Sequence, residues 1–425
     1  MKTTKKITVL FLCLSLLLTS LTLVGCNNGE QSGEQTEAPT EGKQPGDTAN
    51  SENAEFLAGI REEIEQDNSK VYDELIAELR REIARGGPVT GDEDYVVITD
   101  YVEPNTGADV SGEIQKVIKN NAKKTIYFPD GEYILANPIA TSANPEHSVS
   151  LYLSDKAVLK ATDDWKNSGA MVRLGGFEGD NNIYVNGSNY YMYGGTVDGN
   201  GRANGISVDS GRETSVRGVD IINTRVGIKV EWGANNGSAD ADFKDITIVG
   251  IGSSSSIGIE SIGGDNTYTN IDISGVQTGF KANPGGGNIL RQIRVRYDID
   301  EKNVSPDYSK SIGFDLAGGT NWLDSCSSEQ FATGFKFDSL ATIFRACSAS
   351  WYSSAGNQEV AFHCTKKLYT AIVNAHVEFR KDGKNRAFLK VDMAGGKGLV
   401  SKPMFNPAYC DDQTYKTYLL DKVIY

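Results

Sequence analysis

The chain has 425 residues, of which 46 are Gly and only 11 Pro, and a formal net charge of −14. An acidic balance of this size disfavours nucleic acid or an anionic membrane face as partner, and three His in all leave little from which to build a histidine metal site. Many Gly and few Pro suit stacked strands turned by tight corners.

Lys2, Lys5 and Lys6 precede an apolar run from Ile7 to Val24, which closes as Leu23-Val24-Gly25-Cys26. Residues 1–25 therefore read as a targeting segment, to be set aside from the fold. The ending resembles the bacterial lipoprotein signal. The resemblance implies lipid on Cys26 and an extracytoplasmic protein held to a bacterial membrane. An ordinary secretory signal and a membrane-spanning helix are the alternative readings of this run.

Residues 26–53 hold no Leu, Ile, Val or aromatic residue, so they predict a disordered acidic tether. In 54–87, Phe56, Leu57, Ile60, Ile64, Val71, Tyr72, Leu75, Leu79 and Ile83 recur at helical spacing. Asp67-Asn68-Ser69 interrupts the pattern, and Gly86-Gly87-Pro88 ends it. The segment predicts a stalk or a helix packed on the main domain. A trimeric coiled-coil stem is the other reading, disfavoured by the interruption.

Residues 95–425 predict one strand-built domain. From residue 204 a phrase returns: NGISV (204–208), VGIKV (226–230), IGIES (257–261), TGFKA (278–282), IGFDL (312–316), TGFKF (333–337), VAFHC (360–364) and RAFLK (386–390). Their small residues lie 22, 31, 21, 34, 21, 27 and 26 apart. A floor near 21 with irregular insertions marks one solenoid coil per repeat, and short alternating segments make the coils strands. The predicted class is all-β, a parallel β-helix.

Before the phrases come Asn105 to Ile118, with Asp109, Ser111, Ile114, Gln115 and Val117, and then Thr125-Ile126-Tyr127-Phe128-Pro129-Asp130-Gly131. A short helix capped by Asp109 or Ser111 would turn Ile114, Val117 and Ile118 inward and plug the open end. This opening, with Gly194-Gly195-Thr196-Val197-Asp198-Gly199-Asn200-Gly201, resembles the pectate-lyase superfamily in its rhamnogalacturonase and epimerase-like branch. The resemblance spans 95–425 and implies a right-handed parallel β-helix. That architecture carries lyases, hydrolases, epimerases and non-catalytic adhesins. The Asn-Thr-Asp, Asp-Asp, Gly-His-Gly and Arg-Ile-Lys motifs of polygalacturonases are absent, as is the Asp-Pro-His motif of alginate epimerases. Asp198 reads as a turn residue before Gly199.

Equivalent positions of stacked coils lie about 4.8 Å apart, so outward columns follow from the phrases. One runs Ser207, Lys229, Glu260, Lys281, Asp315, Lys336, His363. The preceding strand gives Asp220, Thr247, Asp272, Arg294, Asp324, Arg345, Val373. Alternating charge is explained by stability alone, at roughly 0.2–1 kcal/mol per exposed pair. The functional reading takes Asp220, Asp272, Arg294 and Asp324 as catalytic. Successive acids two coils apart would be separated by about 9.6 Å, near the roughly 6.5–9.5 Å of inverting glycosidases. Arg294 or Arg345 would instead neutralise a uronate or take its C5 proton. Calcium is the one cofactor that Asp220 and Asp272 suit; no metal site is otherwise assigned.

The longest insertions, after the phrases at 226 and 278, are expected to wall one region. They supply Glu231, Trp232, Arg296 and Tyr297 as substrate-binding candidates, with Arg345 beside them. Trp322, Trp351 and Tyr352 are further aromatic candidates, although aromatic residues beside loops commonly serve packing. Cys326 and Cys347 match in adjacent coils and predict inward thiols or a disulfide, and no cysteine has metal-ligand spacing. The expected function is a polysaccharide-active surface protein, a lyase or glycoside hydrolase on acidic or pectin-like glycan. A non-catalytic glycan-binding or structural protein is the alternative.

Overall fold

The computed structural model describes residues 95–176, 191–232, 237–282, 285–298, 307–316, 318–338, 342–352 and 358–424. The expected signal segment, tether and helical segment lie outside them. No helix among the described residues is long and apolar enough to cross a membrane.

The described chain is a right-handed parallel β-helix. Each coil contributes three strands, called a, b and c here. In one coil Asp242–Gly250 runs through a and b, and Ile257–Ser261 is c. Strands a and b of all coils form one 19-stranded sheet, and the c strands form a ten-stranded one. All eight phrases are c strands, stacked in chain order from Asn204–Val208 to Arg386–Val391.

Why the phrase needs a small residue is visible at the b-to-c corner. A Cβ on Gly227 would sit 2.6 Å from Ile248 Cγ2 and 2.7 Å from the Gly258 carbonyl oxygen. Inward from it, Phe280, Phe314, Phe335 and Phe362 stack at centroid spacings of 6.4, 4.8 and 5.0 Å. The last phrase is shifted by one residue. Ala387 pairs with Val360, not Ala361, and Lys390 falls in register with His363. Phe388 takes the glycine position and stacks on Phe405 at 4.7 Å, where the core broadens toward its end.

One residue turns strand a into strand b. It has positive φ at Gly218, Asp245, Asn270, Gln292, Ser325, Ala346, Asn374 and Lys402. This corner fixes the register, and it splits the expected second column. Asp220, Thr247, Asp272 and Arg294 do stack in strand b. Arg294 then faces Ser327, whereas Asp324 stacks on Arg291 and beneath Arg345 in strand a. Asp324 and Arg345 come just before the corner residue, and Asp272 and Arg294 come two residues after it. The expected Asp272–Asp324 pairing is therefore overturned.

At the c-to-a corner, buried Asn266, Asn288 and Asn321 form a side-chain ladder, with Asn288 Nδ2 donating to Asn321 Oδ1 at 3.0 Å. Cys326 and Cys347 are both fully buried and free. Burial pushes the Cys326 thiol well up, and full enclosure keeps reactants from both sulfurs.

Helix α1 (Ser111–Asn120) closes the N-terminal end as expected, burying Ile114, Val117 and Ile118. It lies where a c strand would. Gln115 bonds both polar groups of Ala140, donating from Nε2 at 2.9 Å and accepting at Oε1 at 2.7 Å. Asp109 supports its start: Oδ1 accepts from the Ser111 N–H at 2.9 Å and the Ser111 hydroxyl at 2.6 Å.

Candidate functional site

The outward column of the c sheet is the ladder expected from the phrases, and it is longer. Register pairing carries it from Arg173 through Ser207, Lys229, Glu260, Lys281, Asp315, Lys336 and His363 to Lys390. From Arg173 to His363 each c strand buries the residue on either side, so the polar residue between them has only the outer face. Ion pairs run along the ladder, with Lys281 Nζ 2.7 Å from Glu260 and Lys336 Nζ 3.4 Å from Asp315.

A 370 Å³ pocket opens at the N-terminal part of this face. Three consecutive c strands supply its charges. Arg173 reaches Asp209 Oδ2 from Nη2 at 2.6 Å and from Nε at 2.8 Å. Lys229 Nζ lies 2.6 Å from Glu231. Asn204 and the nearly buried Ser207 complete the polar lining. Asp209 and Glu231 each follow a residue of the in-register pair Val208–Val230, so they come from neighbouring rungs, about 4.8 Å apart in backbone spacing. Gly176 packs over the first ion pair, since a Cβ there would be 2.7 Å from Asp209 Oδ2.

The two long insertions border this face from opposite edges. One leaves strand c at Glu231; Trp232 bridges Gly237, and Ser238–Ala239 pairs with Gly211–Arg212. The other enters strand c before Ile312 and carries a 3-10 turn at Tyr308–Lys310. Arg291, Arg294 and Arg296 are not part of it, because they lie on the Asn288–Arg296 strand.

Of the residues expected to act, Glu231 lies in the pocket and Trp232, 46 % exposed, stands beside it. The others are elsewhere. Asp220 is exposed on strand b. Asp272 and Arg296 pair with each other at 3.3 Å, and Arg294 makes a two-point contact with Glu329 at 2.6 and 3.0 Å. Arg345 bonds Asp324 through Nε at 3.1 Å, and its guanidinium holds the Asp324 carboxyl below its usual range. Tyr297 is a packing residue, its ring 5.4 Å from Phe331 and 5.5 Å from Tyr308. Burial, helped by Asp307, lifts its hydroxyl to about 12. Trp351 is likewise buried against Phe379, while Trp322 and Tyr352 are exposed. Among the described residues no cluster of three or more His, Cys, Asp or Glu is arranged to hold a metal ion.

Residues 96–303 match the family model described as rhamnogalacturonase A/epimerase, pectate lyase-like. The match spans 208 of the 425 residues, just under half of the chain. Two solved structures share the architecture. A tailspike protein of E. coli bacteriophage HK620 is 11 % identical with a TM-score of 0.55, over 74 % of this chain and 66 % of its own. An endo-xylogalacturonan hydrolase from Aspergillus tubingensis is also 11 % identical with a TM-score of 0.51, over 78 % of this chain and 100 % of its own. No curated protein matches the sequence. At such identities the likeness concerns the β-helix, and the site must be argued from its own residues.

Asp209 and Arg173 were not among the candidates read from the sequence. A signal for Asp209 existed: the phrases NGISV and VGIKV are both followed directly by an acid, Asp209 and Glu231. Arg173 was hidden because its strand, Ala170–Leu174, has Met171 where later coils have glycine.

Proposed function

We propose that this pectin-lyase-like β-helix acts on an acidic or pectin-like polysaccharide laid along the c face. The observation that carries the reading is the pocket in which Arg173, Asp209, Lys229 and Glu231 converge from three successive coils. Arg173 and Lys229 suit a sugar carboxylate, and Trp232 offers a ring face at the pocket's edge. The family description and the xylogalacturonan hydrolase support a glycan as ligand.

One observation favours binding without cleavage: Asp209 and Glu231 are each already engaged by a cation. Incubating the full-length protein with a polysaccharide panel, with and without calcium, separates the readings. New reducing ends mark hydrolysis, an ultraviolet-absorbing unsaturated product marks elimination, and retention without either marks a binding protein. Lys229→Ala is expected to weaken retention of acidic glycan roughly tenfold, equal to about 1.4 kcal/mol. Unchanged retention in that variant would move the ligand off this pocket.

We also propose that the protein is extracytoplasmic and lipid-anchored through Cys26, a reading supported by the basic, apolar and Leu-Val-Gly-Cys sequence before it. Cys26→Ser is expected to abolish lipidation, seen as loss of the acyl mass on the mature N-terminal peptide. An unmodified Cys26 in the wild type would defeat the idea.

A further inference from the structure

The outward face of strand a changes character along the stack. Its first column runs in register through Ser215, Asp242 and Thr267, and then through Ile289, Trp322, Ile343, Ala371 and Leu399. Strand alternation turns Leu290, Leu323 and Phe344 into the core, so five successive apolar residues look outward. Trp322 is 43 % and Ile343 40 % exposed. Apolar residues scattered over a surface need no explanation, whereas an unbroken row of them marks a contact surface. The second column, two residues further along each strand, reads Thr269, Arg291, Asp324, Arg345, Val373 and Ser401. Arg345 donates to Asp324 from Nε at 3.1 Å, yet the two side chains stay 66 % and 31 % exposed, so their outer sides are open.

This face is complementary to itself. A twofold axis lying across the stack, parallel to the strands, reverses the order of the rungs and keeps each column opposite its own copy. Centred between the Trp322 and Ile343 rungs, it sets Trp322 against the partner's Ile343, and the large Ile289 against the partner's Ala371. In the second column it sets Asp324 against the partner's Arg345, and Arg291 against the partner's Val373. No like charges meet. Shifted by half a rung, the axis would lay Asp324 or Arg345 on its own copy, at the cost of a like-charge contact. Shifted a full rung toward the N-terminus, it would bury Asp242 against the partner's Ala371; a full rung the other way, Asp324 and Arg345 would face no opposite charge. An axis along the stack would exchange the columns and put Trp322 on the partner's Asp324. One arrangement alone joins apolar to apolar and acid to base.

We propose that two copies of this chain pack through these faces as an antiparallel twofold dimer centred between the Trp322 and Ile343 rungs. The inference is independent of the polysaccharide reading, since both c faces stay outside the contact. The six rungs from Thr267 to Leu399 span about 24 Å, a small contact for a specific interface, and the dimer is accordingly reversible.

The test is sedimentation equilibrium of full-length protein at concentrations up to about 200 µM, a range that captures a weak reversible dimer. Wild type is expected to approach the dimer mass. Ile343→Glu should raise the dissociation constant by roughly tenfold or more. The decisive variants are Asp324→Arg and Arg345→Asp. Each alone opposes like charges at the centre of the contact and should be monomeric. Mixed in equal amounts they should form a heterodimer, because each central contact then joins opposite charges. A role confined to the ladder within one chain would give no such rescue. Thermal unfolding checks that each variant is folded, and Ile343→Ser, which leaves the charges alone, replaces any that is not. A wild type that stays monomeric throughout this range would overturn the proposal. So would a trimer, an oligomer indifferent to the Ile343 substitutions, or a mixture of the two charge variants that stays monomeric.

Discussion

Replacing Arg380 by alanine is expected to destabilise the domain by roughly 3–5 kcal/mol at neutral pH, the cost of stranding a buried charge. The Glu359 carboxylate is 2 % exposed, and Arg380 is the cation facing it, with Nε 3.0 Å from Oε1 and its backbone N–H 3.2 Å from Oε2. Burial pushes the Glu359 carboxyl above its ordinary value, and the bonds from Arg380 partly restrain that rise. A raised folded pKa means that this group's contribution to stability is fully present below the unfolded value, about 4.3, and is lost as pH climbs through the folded one. Removing Arg380 removes the restraint. The deficit of the variant should therefore be largest near neutrality and shrink toward pH 4, where Glu359 takes up a proton. Urea unfolding at the two pH values measures this. A deficit independent of pH would mean that Arg380 acts through packing alone. Glu359→Gln, which keeps an acceptor and carries no charge, should cost less than Arg380→Ala.

Gly258→Ala is expected to be among the most damaging of the substitutions along the glycine column. The added Cβ would sit 2.3 Å from Ile273 Cγ2 and 2.5 Å from the Gly279 carbonyl oxygen. Overpacking of this kind costs about 1–3 kcal/mol, occasionally more. The value here should lie at the upper end, because one of the two obstacles is backbone and trimming Ile273 would not relieve it. Gly334 occupies the same position five rungs along the phrase series from Gly205, yet its nearest contacts are 2.9 Å to the Ala361 oxygen and 3.3 Å to the Ala349 Cβ. Gly334→Ala should therefore be much milder, in keeping with the alanine that occupies the next coil at Ala361. Comparing the two melting temperatures decides the matter; equal losses would show that the opposing b-strand side chain does not set the tolerance.

The same geometry explains what was readable in the sequence. The c strands announced themselves because the b-to-c corner demands a small residue and the strand then alternates, so Gly227, Gly258 and Gly279 head nearly identical phrases. The a-to-b corner gives no such mark. It needs only a residue tolerant of positive φ, and Gly218, Asp245, Asn270, Gln292, Ser325, Ala346 and Lys402 all serve. With no common letter at the corner, Asp324 looked equivalent to Asp272 although it belongs to the neighbouring strand. Lys390 escaped for a related reason: Phe388 displaces the small residue and moves the last phrase by one position. The insertions were legible as lengths. Their placement on opposite edges of the c face depends on which corner each occupies, and no length reveals that.

That single-residue corner has a consequence for how such a protein can change over time. From Gly218 to Lys402 the a-to-b edge admits no added residue without displacing every strand beyond it, whereas the other two corners already range from one residue at Arg225 to more than ten. Both variable corners open onto the c face. New walls and new ligand contacts can thus accumulate around the polar ladder while the opposite ridge keeps the coils in step, so specificity and stability are free to evolve on separate sides of one spring.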